Sequence, residues 1–311
     1  MRATQTTTFR SLQNYLDKAS SRLQSLQLAA ATGKRLNRPS DDPTAISPVL
    51  SARTQIKNSD RFLETIASGL DRVNNMDGNL ENIENVMQRI REISLASINS
   101  TLSSADRQTY ADEVAQLKKE LIDTGNAQVD GKYLFSGYAE KTKPFSVNPN
   151  YPATQPNPVN YNGDQGVVEF EIGPGEKIDV NITGSQLLLG DANNDGVTDP
   201  GAVDIFAVVT SIEEALRAND PAAVDAQLTN LETGANQVRT QRSLKGNVGN
   251  RLTLASDHMD QIKIDMESMR SRFEDADILE TITNLQQQQN GFQAALSVTG
   301  KVSELSILNY I

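Results

Sequence analysis

Apolar residues near the N-terminus fall at Phe9, Leu12, Leu16, Ala19, Leu23, Leu26 and Ala30, in unbroken steps of three and four. The C-terminal segment repeats the pattern with Ile278, Ile282, Leu285, Gln289, Phe292, Leu296 and Thr299. Such spacing places one apolar stripe along each of two helices, the seam that a partner helix covers. A chain that keeps its amphipathic helices for its two ends is built to associate through them. The candidate assembly residues are therefore Phe9, Leu12, Leu16, Leu23, Leu26, Ile282, Leu285, Phe292 and Leu296. Each stripe is thin, and the entropy of ordering both segments is large. The pair is expected to be marginal alone, with both ends largely disordered in the monomer and folding on assembly.

Between these ends the pattern changes twice. A first helix is predicted from about Thr6 to Ala31, ended by Gly33. Residues 34–48 carry Pro39, Pro43 and Pro48 and are expected to be irregular, with Asp41 and Asp42 as caps for the next helix. Helical period returns from Val49 to Ile98, in Ile56, Leu63, Ile66, Leu70, Val73, Leu80, Ile83, Met87 and Ile90. A shorter helix starts at Ser103–Asp106 and carries Tyr110, Val114, Leu117 and Leu121. From 131 to 201 the helical period disappears. Short β-like runs occur at Lys132–Phe135, Val167–Ile172 and Lys177–Ile182, broken by Asn162-Gly163 and Gly173-Pro174-Gly175 turns. Helical pattern resumes near Val203, and after Pro221 it runs almost to Asp275. Its second half is a clean heptad: Val248, Leu252, Ala255, Met259, Ile262, Met266, Met269 and Phe273. Gly234, Gly246 and Gly249 weaken that helix by about 1 kcal/mol each relative to Ala.

The predicted fold is mainly α with a β-rich insert. It comprises coiled-coil-like terminal helices (1–33 with 278–311), a long antiparallel helical rod (34–130 with 202–277) and an inserted outer β-rich domain (131–201). Composition agrees with this. Only 37% of the 311 residues are hydrophobic, 5% are aromatic and Trp is absent. Long helices that each bury a narrow stripe suit that supply better than one large core.

Composition also narrows the chemistry. A net charge of −11 argues against binding a nucleic-acid backbone. Without cysteine there are no disulfides, thiolate nucleophiles or thiolate metal sites, and the single histidine, His258, reads as a surface or structural residue. No run of eighteen apolar residues is present, and residues 1–20 lack the apolar core of a cleavable signal peptide. Export, if it occurs, is expected to use a route that reads no such signal. No catalytic constellation is visible and no cofactor is expected.

One local motif invites a metal. Asp191, Asn193, Asp195 and Asp199 stand at positions one, three, five and nine of a calcium loop, with Gly196 at six. Position twelve is Ala202 where an acidic ligand is needed, and Asp204 comes two residues late. The alternative is an Asx-rich turn leading into the next helix. A calcium-dependent adhesin, or an enzyme built on the insert, is the reading from another class.

The stretch Thr32-Gly33-Lys34-Arg35-Leu36-Asn37-Arg38-Pro39-Ser40-Asp41-Asp42-Pro43 resembles the signature that follows the first helix of bacterial flagellins and their relatives. Arg89-Ile90-Arg91-Glu92, Asn99-Ser100-Thr101, and Glu274-Asp275-Ala276-Asp277 leading into Thr283-Asn284-Leu285 fit the same superfamily. Within it, Gly131-Lys132-Tyr133-Leu134-Phe135-Ser136-Gly137-Tyr138 with Lys143-Pro144-Phe145 is most similar to the hook-associated proteins of the hook–filament junction. So is Tyr161-Asn162-Gly163-Asp164 leading into Glu176–Asn181.

The resemblance implies a non-enzymatic, secreted component of the flagellum that connects hook to filament and gives flagellin a platform for polymerisation. The implied partners are the adjacent hook-associated protein on the hook side, flagellin on the filament side, copies of itself in a ring, and an export chaperone on roughly 270–311. Flagellin itself, the bulk filament subunit, is the alternative.

Overall fold

A computed structural model describes residues 2–99, 102–152 and 157–308; the side chains of 2–6, 8, 9 and 302–308 lie outside the description. The chain divides into two compact units, 1–60 with 261–311 and 61–260.

The first unit contains α1 (Arg2–Thr32), α6 (Ile278–Leu308), the beginning of α2 (Pro43–Ser97) and the end of α5 (Pro221–Glu274). α1 stops at Gly33, whose φ of +70° is reached without steric cost only by glycine and whose N–H still bonds back to the Ala29 carbonyl at 2.9 Å. α2 begins earlier than the prolines suggest. Pro43 takes the first helical position, where its missing N–H costs nothing, and Pro48 lies inside the helix. The Asp42 carboxylate caps the first turn, accepting from the Thr44 and Ala45 amides at 3.0 and 3.2 Å. A small cluster of Leu36, Ala45 and Val49, flanked by Ile46 and Phe273, is buried here. α1 packs along α6, so the terminal helices already pair within one chain instead of lying open. Burial between them is shallow, which keeps the pair thin. Ion pairs of Arg53 with Glu274 and Asp60 with Lys263 set the α2 and α5 segments antiparallel.

The second unit holds the rest of α2 and α5, α3 (Ser104–Gly125), α4 (Ile205–Arg217) and, among its described residues, six short strands. Ser103 and Asp106 form a reciprocal capping box at the start of α3. α5 runs unbroken through its glycines. At Gly234 a side chain would press on Ile205 at 3.0 Å, so close helix packing is what glycine gains there. Arg242 of α5 bonds Asp77, Glu81 and Glu84 of α2, again fixing an antiparallel pair.

Among the described residues the β-rich stretch forms three separate antiparallel hairpins, not one sheet. β1 (Gln128–Val129) pairs with β2 (Lys132–Tyr133) around Asp130-Gly131, both at positive φ as a tight hairpin turn requires. β5 (Glu169–Gly173) pairs with β6 (Glu176–Asp179) at the predicted Gly-Pro-Gly turn. The hairpin of β3 (Phe145–Val147) and β4 (Val159–Tyr161) has no alternating pattern to announce it. It forms around Phe145, which is fully buried with its ring centroid 5.4 Å from those of both Tyr161 and Phe206. Asn126 holds the Phe145 backbone at both its N–H and its carbonyl. After the hairpins, a single π-helical turn at Ser185–Leu189 carries Leu187 and Leu188 into the same core.

Candidate assembly interface

The predicted seam residues divide by environment. Leu12, Leu16, Leu23 and Leu26 of α1 are half-buried, as are Leu285 and Phe292 of α6. Ile282 and Leu296 are exposed, at 44% and 48%. The side chain of Phe9 lies outside the described residues.

On α6 the stripe withdrawn from solvent runs Thr281, Leu285, Gln288, Phe292, Ala295 and Thr299. It differs from the apolar stripe read from the sequence by a rotation to one side. Gln289, placed in the seam by apolar spacing, is exposed, while Gln288 turns inward and donates from Nε2 to the Ala19 carbonyl at 3.2 Å. A polar side chain can occupy a seam when its hydrogen bond is made there. The rotation leaves Ile278 and Ile282 exposed in the first turns of α6, and Leu296 exposed further along the same line beyond Gln289. Sequence reasoning missed Thr281, Gln288 and Ala295. They recur every seven residues, three or four from Leu285, Phe292 and Thr299, but an apolarity criterion passes over them.

The connections to the two helices meet at Glu274. Its side chain is 1% exposed and Oε1 receives both Lys34 Nζ and Arg53 Nη2, the latter at 2.8 Å. Burial alone would raise this carboxyl, but hydrogen bonds from Lys34 and Arg53 together with their charges hold it below the ordinary glutamate value. A groove of about 590 Å³ opens nearby, lined by polar groups including Ser21, Gln24, Arg35, Arg38, Asp277 and Glu280.

The residues of the calcium-like motif use their oxygens on the loop itself. Asp191 accepts from the Asp195 and Gly196 amides, Asn193 and Asp195 from residues two positions on, and Asp199 from the Ala192 amide. Among the described residues no group of three or more His, Asp or Glu side chains is placed to hold a metal ion. His258 is exposed. No described helix is long and apolar enough to cross a membrane.

Two family models match this chain: the bacterial flagellin N-terminal helical region over residues 5–140 and the bacterial flagellin C-terminal helical region over 228–311. The chain belongs to the bacterial flagellin superfamily. It is a structural protein of that superfamily, not an enzyme. Flagellar hook-associated protein 3 of Escherichia coli is 24% identical over 89% of both chains. The protein of the same name from Salmonella typhimurium is 27% identical over 73% of this chain and 69% of its own. Flagellin of Bacillus subtilis is 24% identical over 88% of this chain and 87% of its own. Among solved structures, a flagellar hook-associated protein of Vibrio parahaemolyticus superposes with a TM-score of 0.65 at 19% identity, covering 76% of this chain and all of that one. The flagellar junction protein FlgL of Legionella pneumophila gives 0.60 at 18% identity, over 73% of this chain and all of its own. These solved structures resemble this chain in fold.

Proposed function

We propose that this chain is a hook-associated junction protein, which connects the hook to the filament and provides the platform on which flagellin polymerises. The observation that carries the reading is the likeness to hook-associated protein 3 of Escherichia coli over nearly the whole of both chains. The exposed apolar side chains of α6 support an assembling role: one face pairs with α1, and Ile278, Ile282 and Leu296 stay available to a neighbouring subunit. Copies contact one another through heterologous surfaces and close into a ring stage. The terminal helices, 1–33 with 278–311, form its inner layer, the long helices the next, and the 131–201 segment faces outward.

The remaining partners belong to that role. They are the adjacent hook-associated protein on the hook side, flagellin on the filament side, and an export chaperone that covers roughly 270–311 before secretion. The protein acts outside the cell, at the hook–filament junction. Substituting Ile282→Asp or Leu296→Asp blocks incorporation while leaving the chain folded, because both side chains already face solvent in the single chain.

Flagellin is the second reading, favoured by the equally long likeness to the Bacillus subtilis protein. Electron microscopy and medium analysis of cells lacking the gene separate the two. Bare hooks with monomeric flagellin in the medium support the junction. Hooks with flagellin absent from cells and medium alike make the chain the filament subunit, and normal filaments overturn both.

A further inference from the structure

We propose that Glu274 is a latch through which the two terminal helices become ordered together. It lies at the C-terminal end of α5, where the helix dipole disfavours an anion, and it is almost wholly buried. Both conditions oppose a carboxylate, so the cations around it are what hold it there. Lys34 comes from the segment after α1, Arg53 from α2, and Arg270 of α5 stands 4.0 Å from Oε2. Lys34 and Arg53 remain half-exposed, so their own desolvation is small.

The backbone around Glu274 adds a second set of bonds between the same segments. The Glu274 carbonyl accepts from the Arg35 and Leu36 amides at 2.7 and 3.2 Å. Ala276 donates its N–H to the Gly33 carbonyl at 2.9 Å, and Arg35 Nη2 reaches the Phe273 carbonyl at 3.0 Å. The last turn of α1 and the first turn of α6 are thereby fixed side by side. Pairing α1 with α6 then proceeds from a closed end, and the entropy of bringing two remote chain ends together is already spent. The contacts between the helices are otherwise half-buried side chains, Phe292 among them, and the Gln288 bond, so the closed end favours their pairing.

The latch acts within one chain, so its test is independent of any role at the hook. Amide hydrogen exchange on the full-length monomer is compared for wild type and Glu274→Gln, which keeps the shape and removes the charge. Exchange in 10–32 and in 278–300 is expected to accelerate together, roughly tenfold or more, with α4 unchanged. Unchanged rates in both helices overturn the proposal, as does acceleration confined to 278–300. If α4 also loses protection, Lys34→Gln decides, since it keeps the carboxylate paired with Arg53. Joint acceleration of both helices in that variant supports the latch, and its absence overturns it.

Discussion

Asp204 caps α4 through its carboxylate, which accepts from the Ala207 amide at 3.0 Å, yet the group is largely withdrawn from water. Burial pushes its pKa up to about 6 from an ordinary 3.8, against the lowering effect of the Ala207 and Phe206 amides. Between those values the native state holds a proton that the unfolded chain has released. The contribution of Asp204 to stability is therefore fully present below about pH 4 and is lost as pH rises through about 6. Asn caps helices as well as Asp and carries no charge to bury. Asp204→Asn should accordingly be more stable than wild type at pH 7, by on the order of 1–3 kcal/mol, and equal to it near pH 4. Urea unfolding at the two pH values checks this, and an Asn variant weaker at pH 7 would refute it. Gly184 makes an opposite demand at the same scale. A Cβ there would stand 2.5 Å from the Phe145 ring and 2.8 Å from Tyr161. Gly184→Ala should cost roughly 1–3 kcal/mol by overpacking, read as a lowered Tm.

Single elements are held in place by groups that cross between them, and Arg107 of α3 is the clearest case. Its side chain is buried without a carboxylate partner among its hydrogen bonds, donating instead to the Ser97 and Asn99 carbonyls and to Asn219 Oδ1. It joins the α2–α3 turn to the α4–α5 turn. Arg107→Met should lose about 3 kcal/mol or more, since charged hydrogen bonds are among the stronger ones and the buried Ser97 carbonyl loses its donor. Arg107→Lys should recover only part of it, because one ammonium cannot span three acceptors in a fixed fork. Thermal unfolding of both variants tests the order.

Local rules made much of this layer readable. The Ser103–Asp106 cap, the Pro221 start and the Val248–Phe273 heptad are each local signals, and each appears as read. What was not readable depended on remote partners. β3 and β4 pair because Phe145 has Tyr161 and Phe206 to pack on, and α6 turns about its axis because Ala19 offers Gln288 a carbonyl. None of these partners lies within a helical turn of the residue it determines.

At the scale of the whole chain, apolar burial is distributed very unevenly. The 61–260 unit contains a large contiguous core that runs from Met76 through Phe145 and Phe206 to Val238, and further buries Phe62, Ile66, Val73 and Leu252. The unit of 1–60 with 261–311 buries Leu36 and, on α2, Ala45, Val49, Ala52 and Ile56, while its terminal helices depend on half-buried stripes. Local opening follows buried contact density, so the two units should open at different free energies. In the monomer, amides of α4 are expected to exchange near the rate of global unfolding. Those of 10–32 and 278–300 should exchange at least ~100-fold faster, while still slower than a free peptide. Equal protection in both sets would contradict this account of the burial. An assembling chain has reason to be built this way, because a thinly packed pair of helices can be remodelled by a neighbour at little cost. Covering Ile278, Ile282 and Leu296 in the assembled state should then slow exchange in 278–300 toward the α4 rate, with the largest change at those three positions. The same change spread evenly along α6 would place the neighbour's contact elsewhere on the helix.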